Sequence, residues 1–250
     1  MFKTFNTSDS STDNHNTLIM APHGFGKTKQ AEFYAEAYGA GIILSGEGGL
    51  RTLKGADIDY VPFTSFKEPG DETSFRSILG VIKRDPEFAA KGYKWIVVDS
   101  LNELAEMAYR EKDKEINGNA TKPNPFAVYS EYASEVGAAI KVLKDLPYHI
   151  LVTSLVRSKE DDNGNTYHQP LVKGQDLQRL LPGIFDNVFC GVRRTIQAEE
   201  GPAKVQRYIV TDEVNGWAGK YRGKPGTLKP IEDTGNVTEL HAKIDAALAS

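Results

Sequence analysis

Short runs of apolar residues recur along most of the chain and predict the strands of a buried sheet. The runs Trp95-Ile96-Val97-Val98 and Ile150-Leu151-Val152 are continuous, with no polar residue at alternate positions. Such runs are typical of parallel strands that are covered on both faces. The strands predicted in this way are Thr17–Met20, Gly41–Leu44, Tyr60–Phe63, Lys94–Asp99, His149–Ser154 and Asn187–Val192.

Between these strands, apolar positions recur with a spacing close to that of a helix. The clearest example is the segment after Pro125, whose apolar positions are Phe126, Val128, Tyr132, Val136, Ala139, Ile140 and Leu143. The predicted helices are Lys29–Tyr38, Glu72–Arg84, Leu101–Asn117 and Pro125–Leu146. Strands that alternate with helices predict an α/β fold with a mostly parallel sheet flanked by helices.

The pattern changes after residue 192. Residues 192–198 and 205–213 predict an antiparallel pair joined around Glu200-Gly201-Pro202. A basic stretch rich in Gly and Pro follows, and a final helix is predicted over 237–249. Residues 1–16 are rich in Ser, Thr, Asn and Asp and predict a disordered lead-in. We therefore expect one domain over residues 17–250, with a β-extension and basic loop over 192–230.

Composition and net charge limit the kinds of partner that this domain is expected to bind. With 250 residues, 40% of them hydrophobic and 26% charged, the chain resembles ordinary soluble globular proteins. Its net charge of −4 provides no general attraction for nucleic acid, so DNA contacts require a local patch or an oligomer. No apolar run approaches the length of a membrane span, and we expect a cytoplasmic protein without a membrane partner. The single cysteine, Cys190, lies in an apolar run and is predicted to be a buried core thiol.

The candidate chemistry begins with the loop Ala21-Pro22-His23-Gly24-Phe25-Gly26-Lys27-Thr28. An apolar strand precedes this loop and a helix follows it, which is the arrangement that cradles the phosphates of a nucleoside triphosphate. Glycines allow backbone N–H groups to face phosphate oxygens, Lys27 supplies a positive charge, and Thr28 offers a hydroxyl to Mg²⁺. Ala21 stands where many such loops have glycine. The predicted nucleotide-binding residues are Pro22, His23, Gly24, Phe25, Gly26, Lys27 and Thr28.

A second part of the site is predicted at Asp99, which follows the apolar run of residues 95–98. Ligands of open α/β sheets bind at the carboxyl ends of the strands, where this aspartate lies. An aspartate there also often caps the next helix. After a phosphate-binding loop, we interpret Asp99 as a magnesium ligand together with Thr28.

Hydrolysis also needs a group that orients or deprotonates the attacking water. Many AAA+ machines carry glutamate directly after the aspartate, where this chain has Ser100. Two other glutamates remain: Glu103 lies one turn into the next helix, and Glu47 lies in the turn Gly46-Glu47-Gly48-Gly49 after the second strand. We favour Glu47 as the catalytic base, and the alternative is a solvated acidic residue in a turn.

The loop, the Gly-Glu-Gly-Gly turn and the Val-Val-Asp-Ser segment together resemble the RecA/RadA/KaiC branch of P-loop ATPases rather than AAA+ proteins. Later segments look like the small phage-encoded RecA-like ATPases, some of which are single-strand annealing proteins. These segments are Leu151-Val152-Thr153-Ser154, Pro170-Leu171-Val172-Lys173-Gly174, Leu180-Leu181-Pro182, Phe185-Asp186-Asn187-Val188 and Trp217-Ala218-Gly219-Lys220-Tyr221-Arg222.

This resemblance implies roles for residues outside the loop. Thr153 or Ser154 would sense the γ-phosphate, although hydroxyl groups at a strand end more often satisfy local backbone groups. Lys220 and Arg222 would reach the nucleotide of a neighbouring subunit, which requires a homo-oligomer, either a ring or a filament. A solvated basic loop is the alternative for these two residues.

Residues 157–168 are predicted as a polar hairpin loop with an Asn163-Gly164 turn, and the same resemblance implies that this loop faces single-stranded DNA. The side chains available for phosphate contacts and base stacking are Arg157, Lys159, Tyr167, His168 and Lys173. The carboxylates of Glu160, Asp161 and Asp162 oppose such contacts because they repel phosphates.

We therefore expect an ATPase that uses ATP and Mg²⁺, binds single-stranded DNA and acts in phage recombination or strand annealing, in the host cytoplasm. A single-strand binding protein is a possible further partner. The alternatives are a replication helicase or helicase loader, a small-molecule kinase, and a nucleotide-gated binding module with little turnover. The kinase would require an arginine-rich lid, whereas residues 157–170 are acidic.

Overall fold

The computed structural model describes residues 14–68, 70–197 and 201–250. Residues 1–13 of the predicted lead-in and the predicted turn residue Glu200 lie outside the described residues. His15 and Asn16 are buried, and the first strand begins at Asn16. The last residues of the predicted lead-in therefore belong to the folded core.

Within the described residues, eight strands form the main sheet, in the order β12-β9-β8-β1-β5-β4-β2-β3. The six strands β8, β1, β5, β4, β2 and β3 run parallel to one another. Strands β9 and β12 are added antiparallel at the β8 edge. The strands are β1 (Asn16–Met20), β2 (Gly41–Ser45), β3 (Asp59–Pro62), β4 (Trp95–Asp99), β5 (His149–Ser154), β8 (Asn187–Ile196), β9 (Lys204–Val210) and β12 (Ile231–Glu232). The predicted α/β fold with a mostly parallel central sheet is confirmed.

Helices cover both faces of this sheet, as its continuous apolar strands require. They are α1 (Gln30–Tyr38), α2 (Phe75–Arg84), α3 (Pro86–Ala90), α4 (Leu101–Asn117), α5 (Pro125–Lys144), α6 (Gln175–Ile184) and α7 (Val237–Ala249). Leu18 and Met20 of β1 face the core beneath α2, α4, α5 and α6, whereas Ile19 faces the core beneath α1 and α7. None of the helices in the described part of the chain is long and apolar enough to cross a bilayer.

A second, four-stranded sheet is formed by β6 (Val156–Glu160), β7 (Thr166–Pro170), β10 (Glu213–Val214) and β11 (Trp217–Ala218). Strands β6 and β7 form an antiparallel hairpin on either side of the turn, which confirms the predicted polar hairpin. The turn lies where the sequence places it: Gly164 has a φ of 79°, and the Asp161 carboxylate accepts hydrogen bonds from the backbone N–H groups of Asn163 and Asn165. Asp161 thus has a structural use in the turn.

The remaining differences from prediction concern the later part of the chain. Helix α6 is not among the predicted helices. It contains Pro182, a residue that disfavours a helix in sequence, yet the segment is helical. Strand β8 continues to Ile196 because it pairs with β9 along its whole second half. Cys190, on β8, is fully buried as predicted, and burial raises the pKa of its thiol to about 12.

Candidate nucleotide-binding and catalytic site

The phosphate-binding loop joins the carboxyl end of β1 to α1. Gly24 and Gly26 have φ angles of 71° and 104°, a conformation that side chains disfavour, so both positions require glycine. Ala21 continues the sheet, with its backbone N–H donating to the Ser154 carbonyl at 3.0 Å. The loop is therefore fixed to β5 at its start and can direct its backbone N–H groups outward at its glycines.

Phe25 anchors the loop to the core. Its ring is buried, and a Cβ placed on Gly191 of β8 would lie 2.7 Å from the ring and 2.8 Å from the methyl group of Ala21. The space that β8 leaves at Gly191 thus accepts both side chains. This packing explains how the loop tolerates alanine at its first position.

Lys27 lies over the loop, with its Nζ donating to the carbonyls of Ala21 at 3.2 Å and Pro22 at 3.3 Å. Burial lowers its pKa below the usual value, and the negative charges of Asp99 and Glu47 offset part of this shift. The two carboxylates therefore act on the same ammonium group, although they come from different strands.

Asp99 is buried between two hydroxyl groups. Thr28 Oγ1 donates to its Oδ2 at 2.7 Å, and Thr153 Oγ1 donates to its Oδ1 at 2.6 Å. Thr153 can reach Asp99 because β5 lies between β1 and β4 in the sheet. Strand order thus brings the loop, the aspartate and the predicted sensor residue together.

The donor set of this pair fits Mg²⁺. The described residues contain no group of three or more His, Cys, Asp or Glu side chains that could hold a metal. Magnesium does not need one, since it is commonly bound by one or two protein oxygens together with phosphate oxygens and water. The adjacent hydroxyl of Thr28 and carboxylate of Asp99 supply oxygens of that kind.

Glu47 is exposed and lies two residues beyond the end of β2, where it contacts Ser100, the residue after Asp99. Its Oε1 accepts a hydrogen bond from the hydroxyl of Ser100 at 2.5 Å, and Ser100 is fully buried. The turn passes very close to α4: a Cβ on Gly46 would lie 2.5 Å from the ring of Phe63 and 2.9 Å from Cβ of Glu103. Gly46 is thus required for this approach.

The sequence comparisons agree with this geometry. A family model described as "AAA domain" matches residues 13–223. The chain belongs to this AAA domain family. It is a P-loop ATPase, an ATP hydrolase, as the loop, Asp99 and the parallel sheet also indicate.

Two further comparisons complete this result. A search of curated proteins finds no match. Among solved structures, this chain is similar to one described as "Crystal structure of the RadB recombinase". The TM-score is 0.46, and the identity is 16% over 88% of this chain and 90% of that one.

The other predicted residues lie in three places in the AAA domain. Ser154 is buried and donates its hydroxyl to the Leu155 carbonyl at 2.8 Å. Lys220 pairs through its backbone with Val188, near the amino end of β8, and Arg222 pairs with Asp186 at 2.8 Å. The amino end of β8 is opposite the edge that carries the loop, so Lys220 and Arg222 lie away from the loop of their own chain.

The predicted DNA-binding residues lie on or beside the hairpin. Arg157 and Lys159 are on β6, and Tyr167 is opposite Lys159 on β7. Arg157 is exposed. Lys173 lies beyond the hairpin, where its Nζ pairs with Glu106 at 3.0 Å and lies 4.2 Å from the centre of the Tyr109 ring. His168 stacks on Trp217.

Sequence analysis missed several residues that contact the loop. Gln30 is buried; its Nε2 donates to the carbonyls of Gly26 and Gly235, and its Oε1 accepts from the backbone of Val237. Arg193 and Arg207 donate to carbonyls of the loop from β8 and β9. The sequence gives little indication that the two arginines are near the loop, because this proximity depends on the register of β8 and β9.

Proposed function

We propose that this P-loop ATPase is magnesium-dependent, binds single-stranded DNA, and acts in DNA recombination or strand annealing in the cytoplasm of a phage-infected cell. One observation carries the catalytic part of this proposal. Asp99 and Glu47 lie at the ends of neighbouring parallel strands, and both are close enough to Lys27 for their charges to offset part of the fall in its pKa that burial causes. Convergent carboxylates beside a phosphate-binding lysine suit hydrolysis of a bound triphosphate.

Each residue has a separate role in this proposal. Lys27 holds the phosphates, and Thr28 and Asp99 hold Mg²⁺, which neutralises phosphate charge when it is bound. Glu47 accepts the proton of the attacking water, since it is exposed and held in place by the Ser100 hydroxyl. Thr153 links the position of Asp99 to the central strand β5, from which the hairpin continues.

The DNA part of the proposal rests on the hairpin. Strand β6 begins three residues after Thr153 and carries Arg157 and Lys159, so the basic side chains are connected directly to the site. Asn102, near the start of α4, accepts a hydrogen bond from the backbone of Leu155 at 2.7 Å. A shift in the nucleotide site would therefore move the base of the hairpin.

The catalytic assignment is tested by comparing Glu47→Gln with Glu103→Gln in steady-state ATP hydrolysis. We expect Glu47→Gln to lower kcat by about 100-fold or more, because a general base contributes on the order of 10²–10⁴-fold. Glu103→Gln should retain most activity, and the reverse pattern would assign the base to Glu103. In the same assay Thr153→Val should lose turnover, whereas Ser154→Ala should not.

The DNA assignment is tested by gel shift with single-stranded DNA, with and without a non-hydrolysable ATP analogue. We expect binding to depend on the analogue, and we expect DNA to stimulate ATP hydrolysis. Duplex unwinding in a strand-displacement assay would instead support a helicase. If DNA is not bound under either condition, the recombination and annealing role is wrong.

A further inference from the structure

Two arginines of the β-extension contact the phosphate-binding loop. Arg193 of β8 donates from Nη1 to the His23 carbonyl at 3.0 Å, and Arg207 of β9 donates from Nε to the Phe25 carbonyl at 2.7 Å. The guanidinium of Arg193 lies directly against Gly24, where an added Cβ would be 2.6 Å from Nη1. Both side chains therefore reach the part of the loop that contains the first of its two glycines.

The two arginines are direct partners across the antiparallel pair of β8 and β9. Like charges that face each other across two strands are destabilising, unless an anion lies between or near them. Neither guanidinium has an ion-pair partner within residues 14–68, 70–197 and 201–250. The structure thus holds two positive charges together at the loop without a carboxylate to balance them.

The neighbouring arginine shows that this placement is specific to one face of the sheet. Arg194 follows Arg193 on β8, so its side chain points to the opposite face. Its guanidinium lies 5.6 Å from the centre of the Tyr208 ring. Arg194 therefore provides an arginine of matched charge and exposure that does not contact the loop.

The chemistry of the pair suits a polyphosphate. A guanidinium has five N–H donors in a planar fork, so one hydrogen bond to a carbonyl leaves several donors for phosphate oxygens. Charge-assisted bonds of this type are stronger than neutral ones. Lys27, the cation supplied by the loop itself, carries its charge on one ammonium group and does not provide such a planar fork of donors.

We propose that Arg193 and Arg207 are nucleotide-binding residues that contact the phosphates of the triphosphate held by the loop of their own chain. This inference rests on the proposed nucleotide site, but it adds to that site a cationic pair from the β-extension. The β-extension would then have a direct part in holding the nucleotide.

The test measures binding of a fluorescently labelled ATP, with inorganic tripolyphosphate as competitor. We expect Arg193→Gln and Arg207→Gln each to weaken binding of both compounds about tenfold, because each variant loses a charge-assisted hydrogen bond to phosphate. Arg194→Gln should bind like the wild type. Loss of affinity for tripolyphosphate shows that the contact is with phosphate rather than with the base.

Thermal unfolding separates a ligand contact from support of the fold. The Arg193→Gln and Arg207→Gln variants should melt like the wild type without nucleotide and show a smaller rise in Tm with ATP. If they bind ATP within twofold of the wild type, or if their Tm falls equally with and without ATP, the inference is wrong. Wild-type protein that does not bind ATP, or binds it without hydrolysis, would instead contradict the proposed function.

Discussion

Three hydroxyl side chains hold the two carboxylates of the candidate site in place. Thr28 and Thr153 each donate to one oxygen of Asp99, and Ser100 donates to Glu47. Ser100 is the N-cap residue of α4, yet its hydroxyl bonds to Glu47 and not to the helix. Each hydroxyl thus contributes to the arrangement of charge around Lys27.

At the opposite edge of the sheet, the buried surroundings of a single histidine disfavour its protonated form. His241 of α7 is fully buried; its Nε2 is 2.9 Å from the Thr17 hydroxyl and its Nδ1 is 2.9 Å from the Tyr38 hydroxyl. Its ring stacks on His15 with centroids 3.9 Å apart. Burial holds the pKa of His241 well below its usual range, and positive charge on His15 and His149 acts in the same direction.

We therefore predict that stability falls in acid because of His241. Above a pH of about 6.5 the imidazole is neutral in both states and contributes no pH dependence. Below that pH the unfolded chain takes up a proton that the folded chain refuses, so the free energy of unfolding falls by up to about 1.4 kcal/mol per pH unit. Urea unfolding at pH 7.5 and 5.5 measures this slope.

Two variants make this prediction specific. His241→Gln should reduce the loss of stability between the two pH values, since the titrating group is removed. His23→Gln is the control because His23 is exposed on the loop. An unchanged slope in His241→Gln would show that other groups cause the acid sensitivity.

At the scale of elements, the hairpin of β6 and β7 joins the site to a candidate DNA surface. Its first strand follows β5 directly, and its base is held by Asn102 of α4. Arg157 is exposed on this hairpin, whereas Lys173 is already paired with Glu106. The two basic residues therefore differ in their freedom to contact phosphate.

We predict that Arg157→Ala weakens binding of single-stranded DNA more than Lys173→Ala does. Removal of one phosphate contact should lower the slope of log affinity against log salt by about 0.7. Titrations at several salt concentrations, with DNA of different sequences, measure both effects. Lys91→Ala, which changes an exposed lysine after α3, serves as the control, and equal losses in all three variants would remove the hairpin from the DNA interface.

Elements with continuous apolar sequence were predictable, and those that depend on pairing were not. Strands β1, β4 and β5 are buried along nearly their whole length, so composition alone indicates them. Asp99 and Glu47 follow such strands, which allowed both to be named as candidates. The hairpin is polar, and only its Asn163-Gly164 turn indicates it in sequence, because its strands are fixed by hydrogen bonds to each other and not by burial.

At the scale of the whole molecule, one part of the predicted site is remote from the rest. Lys220 and Arg222 lie near the amino end of β8, whereas the phosphate-binding loop lies at the carboxyl end of β1, which is parallel to β8. Lys220 and Arg222 therefore lie away from the loop of their own chain. This position suits the proposed role of both residues at the nucleotide of a second copy of the chain.

We therefore predict that Lys27→Ala and Lys220→Ala, each inactive alone, regain ATP hydrolysis when mixed. In a random one-to-one oligomer about a quarter of the head-to-tail interfaces would combine an intact loop with an intact Lys220. Hydrolysis measured against the mixing ratio tests this. If the mixture is as inactive as its components, Lys220 either acts within its own chain or has no part in hydrolysis.

The position of Cys190 has a practical consequence. It is the single thiol of the sequence, it lies within β8, and burial raises its pKa, so at neutral pH it is shielded from maleimide reagents and carries little thiolate. A cysteine introduced on an exposed surface, such as the tip of the β6–β7 hairpin, would then be the one site that a dye labels. Spectroscopic probes of subunit assembly can thus be attached without first replacing the native cysteine.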